Sequence, residues 1–241
     1  MDFYIISIFP EIFTEFQKFG IISIAIKKKI INLNFLNPRD FTKDKHRNVD
    51  DKVFGGGRGL IMKYQPIADA IEEAKKNSIS KNKKLIKTIY LSPQGKVLSQ
   101  EKSFSMSKKY QSLIIICGRY KGIDERIIQK YVDEEISIGN YILSGGEIPA
   151  MVFMDSIIRL VPEVLKKSET EKDSFCGKGL LDCPHYTRPE YIEGTKSIPP
   201  VLLSGNHKKI NEWREKNKIK NTLQKRKDIF DYLNLSKKDN I

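Results

Sequence analysis

An α/β fold built on a parallel sheet, followed by a small helical domain, is what this sequence predicts, and three observations predict it. Short apolar runs at residues 85–91, 113–117 and 135–138 alternate with helical patterns at 100–109 and 124–131, the order that a parallel sheet requires. Each run ends in a loop containing glycine: SPQGK from Ser92, GRYKG from Gly118 and IGNYILSGG from Ile138. Past residue 179 the chain changes character, to two helical patterns rich in Lys and Arg at 206–217 and 222–233.

The remaining elements follow in order. Residues 3–9 alternate and carry aromatic and branched side chains as a strand does, and 11–19 have helical spacing that stops at Gly20. Residues 30–36 read as a second strand. The polar run 37–59 follows as a long loop, and loops of that length tend to be functional. Residues 65–76, with Pro66 near the start and Ala68, Ala70, Ile71 and Ala74 inside, read as a helix, and a Lys- and Asn-rich connector leads to Lys84. Helical patterning resumes over 147–161. A charged stretch with Ser and Gly then reads as a flexible linker, dividing the chain into 1–164, 165–179 and 180–241. The sequence shows no internal repeat and no sustained heptad.

A chain of 241 residues with 39% hydrophobic content can bury roughly 70–75% of its unfolded surface, which argues against disorder throughout. Its net charge of +13 and pI near 9.5 favour a polyanionic partner, nucleic acid first and an anionic membrane surface second. Abundant Ile, Lys and Asn, as an AT-biased genome produces, account for part of the lysine excess. The start meets Pro10 and Glu11 too early for a signal peptide, and no apolar run approaches the ~20 residues of a membrane span. Cys117, Cys176 and Cys183 lack CxxC spacing, so reduced thiols in a cytoplasm are expected. Cys183 with His185 makes half a metal site whose other half is missing, so the expectation is a structural role and no metal.

The stretch ISIGNYILSGGEIP, residues 136–149, concentrates three glycines after a strand-like run. It is either an ordinary tight turn or a loop that presses backbone against a ligand, with Glu147 and Pro149 in the first turn of the next helix. Convergence of three such loops at the carboxyl edge of a sheet favours small-molecule binding. No strand feeds a GxGxxG turn, and the P-loop pattern is absent; GGGRG at 55–59 lacks the Lys-Ser/Thr ending and reads better as a flexible RNA-contacting loop.

Taken together and in order, HRNVDDKVFGGGRGLIM, YLSPQGK, CGRYKGIDERI, SIGNYILSGGEIPAMVFMDSIIR and GLLDCPHYTRPEY resemble the bacterial tRNA (guanine-N1)-methyltransferases, the TrmD family of the SPOUT methyltransferases. The similarity runs nearly end to end. It implies that the sheet closes on a deep trefoil knot, a rare exception to the rule against threaded chains, with S-adenosyl-L-methionine bent among the knot loops. It implies further a homodimer with composite active sites, acting on tRNA at N1 of the guanosine just 3′ of the anticodon.

Guanine N1 carries a proton when neutral, so methyl transfer to it needs a general base. By the resemblance, Asp173 in the linker matches that base and Arg159 the cation that steadies charge on O6; read without it, a linker Asp is solvated and Arg159 is a helical partner of Asp155. The resemblance implies cofactor contacts at Pro93, Gly118, Tyr120, Ser137, Ile138, Gly139, Asn140, Tyr141, Ile142, Leu143 and Gly145. His46, Arg47, Asp50 and Arg58, with Asp182, His185 and Arg188, are the candidates for holding the anticodon arm, a mixture suited to phosphates and base edges. His207 and Trp213 read as helix start and core. Lys121 stands where the family usually has glutamate, Arg58 where it has proline and Asn140 where it has aspartate. A Lys ammonium ~4 Å from a sulfonium costs roughly 4 kcal/mol at an effective dielectric of 20, so Lys121 is expected to point outward. The altered residues leave two other readings: an RNA-binding protein that keeps the fold without turnover, and a knotted methyltransferase acting on ribose 2′-hydroxyls.

Overall fold

A computed structural model describes residues 1–238 apart from 57, 81, 171 and 196, with backbone alone at 167, 168 and 234–238. Gly57 of the GGGRG run therefore lies outside the described residues. The chain divides into two compact units, Met1–Lys166 and Lys167–Ile241.

In the first unit the elements are β1 (Asp2–Ile6), α1 (Gly20–Lys27), β2 (Asn32–Leu36), β3 (Asp50–Lys52), β4 (Leu60–Met62), α2 (Tyr64–Asn77), β5 (Ile86–Val97), α3 (Gln100–Lys109), β6 (Ser112–Cys117), α4 (Glu125–Tyr131), β7 (Glu134–Ser137) and α5 (Glu147–Ile158). Five of the strands form a parallel sheet in the order β2-β1-β6-β5-β7, and β3 pairs antiparallel with β4. The period of two along each strand sorts its side chains to two cores. Phe3, Ile5, Ile89, Leu91, Leu113 and Ile115 pack toward residues of α1, α3 and α5, whereas Tyr4, Ile6, Tyr90, Ile114 and Ile116 pack toward α2 and α4. Because both faces are covered, β6 reads as an unbroken apolar run, SLIIIC, buried at every position.

β5 is the unusual strand. Ile136 of β7 pairs with Leu91 and again with Lys96, five residues later in the same strand. A strand residue has two hydrogen-bonding edges, so the chain passes from one edge of β7 to the other across residues 92–95. The crossing runs tight against β7: a Cβ at Gly95 would lie 2.4 Å from both the Glu135 carbonyl carbon and the Ile136 nitrogen. The SPQGK stretch is therefore part of a paired strand rather than a free loop.

Two further expectations are corrected. Residues 11–19 form a short 3-10 turn, Pro10–Phe13, followed by turns, and the helix begins where that pattern stops, at Gly20 with φ +62. The apolar stripe that fixes the helix lies in IISIAI, which buries Ile22 and Ala25. The loop 37–59 also contains a 3-10 turn, Pro38–Phe41, and the strand β3.

The second unit contains α6 (Lys167–Thr170), α7 (Pro200–Leu203), α8 (His207–Lys225) and α9 (Lys227–Lys238). α8 runs straight through the expected break near 217–222, where no Gly or Pro interrupts it, and ends at Arg226 in a non-helical conformation. The stretch after α6 is organised on α8: Leu181 N–H donates to Thr222 Oγ1 at 2.9 Å and Asn221 Nδ2 to the Asp182 carbonyl at 2.9 Å.

At the amino end of β7, Glu134 Oε2 lies 2.7 Å from Lys87 Nζ of β5 and Oε1 2.5 Å from Lys102 Nζ of α3. Burial pushes the Glu134 carboxyl up, but the two lysines outweigh it and hold the group below its ordinary value. A carboxyl depressed in the folded state contributes stability that is present above its unfolded pKa and lost as pH falls through the folded one. Glu134→Gln should lower unfolding free energy by about 1–2 kcal/mol at pH 7. The difference from wild type should close on acidification below about pH 4, measured by urea denaturation across pH.

Candidate active site

The loops after β6 and β7 meet the crossing at residues 92–94 within β5 and enclose a cleft of about 250 Å³. Its walls are Ser92 to Gln94, Gly118 to Gly122, and the run from Ser137 to Gly146 without Asn140. Ten of the eleven positions matched to the cofactor loops line this one cleft, and Asn140 is the exception. The Ser137 hydroxyl donates to the Gly139 carbonyl at 3.0 Å and accepts from the Gly139 N–H at 3.1 Å, fixing the turn out of β7.

The end of the glycine-rich loop is fastened to β6 by backbone. Gly146 N–H donates to the Gly118 carbonyl at 2.9 Å, and Arg119 forms an antiparallel bridge with Gly145. A Cβ at Gly146 would lie 2.7 Å from the Cys117 Cα, so only glycine permits the approach. Beneath this contact sits an ion pair. Glu147 has 1% of its side chain exposed, accepts from Ser7 Oγ at 2.8 Å through Oε1, and holds Arg119 Nε 2.9 Å from Oε2. The angle of that second contact falls short of a hydrogen bond, so charge rather than hydrogen bonding joins the two groups. Arg119 also donates from Nη1 to the Ser144 carbonyl at 3.3 Å, and its guanidinium lies 4.8 Å over the Phe9 ring. Burial, then the Glu147 charge, push the Cys117 thiol well up, which keeps it protonated and inert.

Sequence reading passed over Arg119 and Ser7 and took Glu147 only as a helix start. A signal was present: Glu147 is one of two acids in an otherwise apolar helix, EIPAMVFMDSII, and it follows directly on two glycines.

The β3–β4 hairpin docks onto the cleft's central turn. Lys121 N–H donates to the Leu60 carbonyl, Met62 N–H to Gly122, and Asp124 N–H to Met62, each at 3.0 Å. Tyr120 occupies a left-handed conformation, φ +61. Its pKa is raised by burial first and then by the Asp50 carboxylate, against an opposing pull from Arg39. Asp50, on the hairpin, thus acts by its charge on Tyr120 of the cleft wall. Arg47 pairs with Asp40, and its Nε donates to the Arg39 carbonyl at 3.2 Å, whereas His46 and Arg58 are exposed.

Arg159 does not line the cleft. It caps the far end of α5, ten residues beyond Pro149, or about 15 Å along the axis at 1.5 Å per residue. In the second unit Asp173 opens a turn, its carbonyl accepting from Cys176 N–H at 3.2 Å. Asp182 there pairs with His185 at 2.8 Å and Lys218 at 3.7 Å. Burial raises the Asp182 carboxyl, but His185, the Cys183 N–H and Lys218 together hold it below its ordinary value. Donor atoms of Asp182, Cys183 and His185 lie within 4.8 Å of one another, with the Lys218 ammonium already beside the carboxylate. Arg188 lies in a groove of the same unit.

The sequence matches the family described as tRNA (Guanine-1)-methyltransferase TrmD over residues 1–232. The chain belongs to this family. It is 51% identical over 239 residues to a tRNA (guanine-N(1)-)-methyltransferase of Francisella tularensis subsp. holarctica, covering 99% of this chain and 93% of that protein. Proteins of the same description from Marinomonas sp. (49% identity, 98% and 92% covered) and Pseudoalteromonas atlantica (50%, 97% and 86%) are similarly close.

Lys121 lines the cleft wall and is exposed, with its stem turned toward the hairpin: a Cβ at Gly59 would meet Lys121 Cε at 3.2 Å. No helix among the described residues is long and apolar enough to cross a membrane.

Glu147→Gln leaves Arg119 without its counter-charge, so unfolding free energy should fall by about 3 kcal/mol. Adding Arg119→Met should recover more than half of the loss. Strictly additive losses in a urea-denaturation double-mutant cycle would contradict the pairing.

Proposed function

We propose that this chain transfers a methyl group from S-adenosyl-L-methionine to N1 of guanosine 37 in tRNA. The observation that carries the reading is the single cleft at the carboxyl edge of the sheet, in a chain of the TrmD family.

The cleft fits such a donor in chemistry. It offers main-chain donors and acceptors from turns packed so closely that Cβ atoms at Gly118 and Gly145 would strike Tyr90 Oη (2.8 Å) and Arg119 Nε (2.3 Å), and apolar walls from Leu91, Ile138 and Leu143. Pro93, Gly118, Tyr120, Ser137, Ile138, Gly139, Tyr141, Ile142, Leu143 and Gly145 hold the cofactor in this reading, with Asn140 outside the wall. When bound, S-adenosyl-L-methionine supplies an electrophilic methyl on a sulfonium. The chain's own task is to present guanine N1 in line and to move one proton. Asp173 accepts the N1 proton, and the Arg159 guanidinium offsets the charge that grows on O6. His46, Arg47, Asp50, Arg58, Asp182, His185 and Arg188 hold the anticodon arm, and the net charge of +13 draws the polyanion in.

The working unit in this reading is a homodimer. Ile148, Val152, Asp155 and Arg159 share one face of α5 by their spacing, and Ile148 and Val152 are 50% and 46% exposed. A second copy covering that face gives Arg159 a route to a cleft that its own helix carries it away from. A sheet closed on a trefoil knot is supported by the passage of residues 92–95 from one edge of β7 to the other. The division into a cofactor domain, 1–164, a linker, 165–179, and an RNA-binding domain, 180–241, completes the reading, as does a cytoplasmic location.

The test is mass spectrometry of an unmodified tRNA transcript digested after incubation with the protein and S-adenosyl-L-methionine. We expect 1-methylguanosine at position 37 and none when adenosine stands there. Asp173→Asn should lower kcat by about 100-fold or more while tRNA affinity changes less than about threefold. An unchanged transcript, under conditions in which a relative modifies it, would sink the reading.

A further inference from the structure

The sequence holds one tryptophan, and its helical position reads as core. The structure places it otherwise. Trp213 on α8 is half-buried and lines an open groove of about 1,170 Å³ in the second unit, together with Tyr186, Arg188 and Arg214. Leu203 and Ile210 form its apolar side. The Tyr186 ring centroid lies 6.4 Å from that of Trp213, tilted by 52°, and Tyr186 is 49% exposed. Two aromatic faces thus stand in the same groove as two guanidiniums.

We propose that this groove takes an unpaired nucleobase of an RNA, stacked on Trp213, with Arg188 and Arg214 on the flanking phosphates. The proposal rests on the reading that the chain's substrate is RNA, and it adds a contact point on the second unit. Charge selects the occupant. α8, HKKINEWREKNKIKNTLQK, carries seven Lys or Arg against two Glu, and two arginines line the groove beside one acid, Glu190. An apolar segment of another protein would bury those guanidiniums without partners, which is costly. A planar base on an anionic chain satisfies rings and cations together, because every base has a π-face and every linkage a phosphate. Paired bases hide their faces in the duplex stack, so the groove selects unpaired nucleotides.

Because Trp213 is the only tryptophan, its fluorescence in the full-length protein reports this groove alone. The probes are an anticodon-arm RNA hairpin with an unpaired loop and a fully paired duplex of equal length, with binding followed independently by anisotropy of labelled RNA. We expect saturable quenching by the hairpin and at least fivefold less by the duplex at equal occupancy. Trp213→Phe should keep hairpin affinity within about threefold, and Trp213→Ala should weaken it about tenfold with an unchanged salt slope, because stacking releases no counterions. If Trp213→Ala unfolds, the wild-type quenching and Trp213→Phe still decide the matter. Hairpin binding without quenching, equal quenching by the duplex, quenching by S-adenosyl-L-methionine alone, or a spectrum that shifts with protein concentration in the absence of RNA would each overturn the proposal. Methyl transfer measured on the same preparations separates the two readings. Quenching without transfer removes the proposed activity and leaves the groove, while transfer without quenching removes the groove alone.

Discussion

Glu147 is a carboxylate from which water is almost excluded, and the cleft is organised around satisfying it. A buried carboxylate persists only beside a cation and hydrogen-bond donors. Ser7, at the end of β1, supplies a donor, and Arg119, just past β6, supplies the charge. For the guanidinium to arrive, the turn after β6 must lie on the first turn of α5, and that approach is open only because Gly146 has no Cβ to meet Cys117. The same Arg119 reaches back to the Ser144 carbonyl. Glu147, through one ion pair and one hydrogen bond, therefore connects the ends of two strands to α5 and fixes the last residues of the loop that closes the cleft.

The opposite wall is set by a backbone constraint rather than a charge. β7 is hydrogen-bonded to Ile89–Leu91 and again to Lys96–Val97, so the chain between must step over it, and Gly95 lies where the step presses on the peptide between Glu135 and Ile136. Pro93 and Gln94 are displaced outward by this step into the cleft wall. The Glu134 carboxylate, tied to Lys87 and Lys102, holds the start of the same strand. Cleft geometry here follows from register: a shift of β7 by one residue would move Ser137 off the turn it closes and carry Ile136 out of the core.

What could be read from the sequence was whatever has a short period. β6 announces itself because burial on both faces makes it continuously apolar, and α3 because its helical spacing holds over 100–109; in the structure the Ser99 Oγ caps it, accepting from Lys102 N–H at 3.1 Å. The glycine loops were legible as a set, since three in succession after strands point to one sheet edge. The errors fall where a distant partner decides. Residues 11–19 have helical spacing and bury Phe13 in the core, yet they form a 3-10 turn and further turns, and the helix begins at Gly20. SPQGK looks like a turn because its pairing partner, Ile136, lies forty residues on. Arg119 and Glu147 are separated by twenty-seven residues that include α4 and β7, so no local pattern joins them. Trp213 was taken as core because a large apolar ring on a helix is usually buried, and nothing nearby in sequence shows that the chain leaves it at a groove.

The hairpin and the cleft share a backbone seam, which constrains how this chain handles the charge of Lys121. Leu60 and Met62 are bonded to Lys121, Gly122 and Asp124 by three main-chain hydrogen bonds, which join the hairpin to the central turn of the cleft. Tyr120, held at φ +61, lies on the same turn. A lysine at this turn has two directions open to it. Toward the sulfonium it would face a like charge in a partly desolvated site, at a cost of several kcal/mol; toward Gly59 it packs its stem on a residue without a side chain and keeps its ammonium solvated. The second arrangement is the one observed, and Gly59, at φ +103, provides the room for it. The Lys121 stem thereby lies on the hairpin side of the seam, against Gly59.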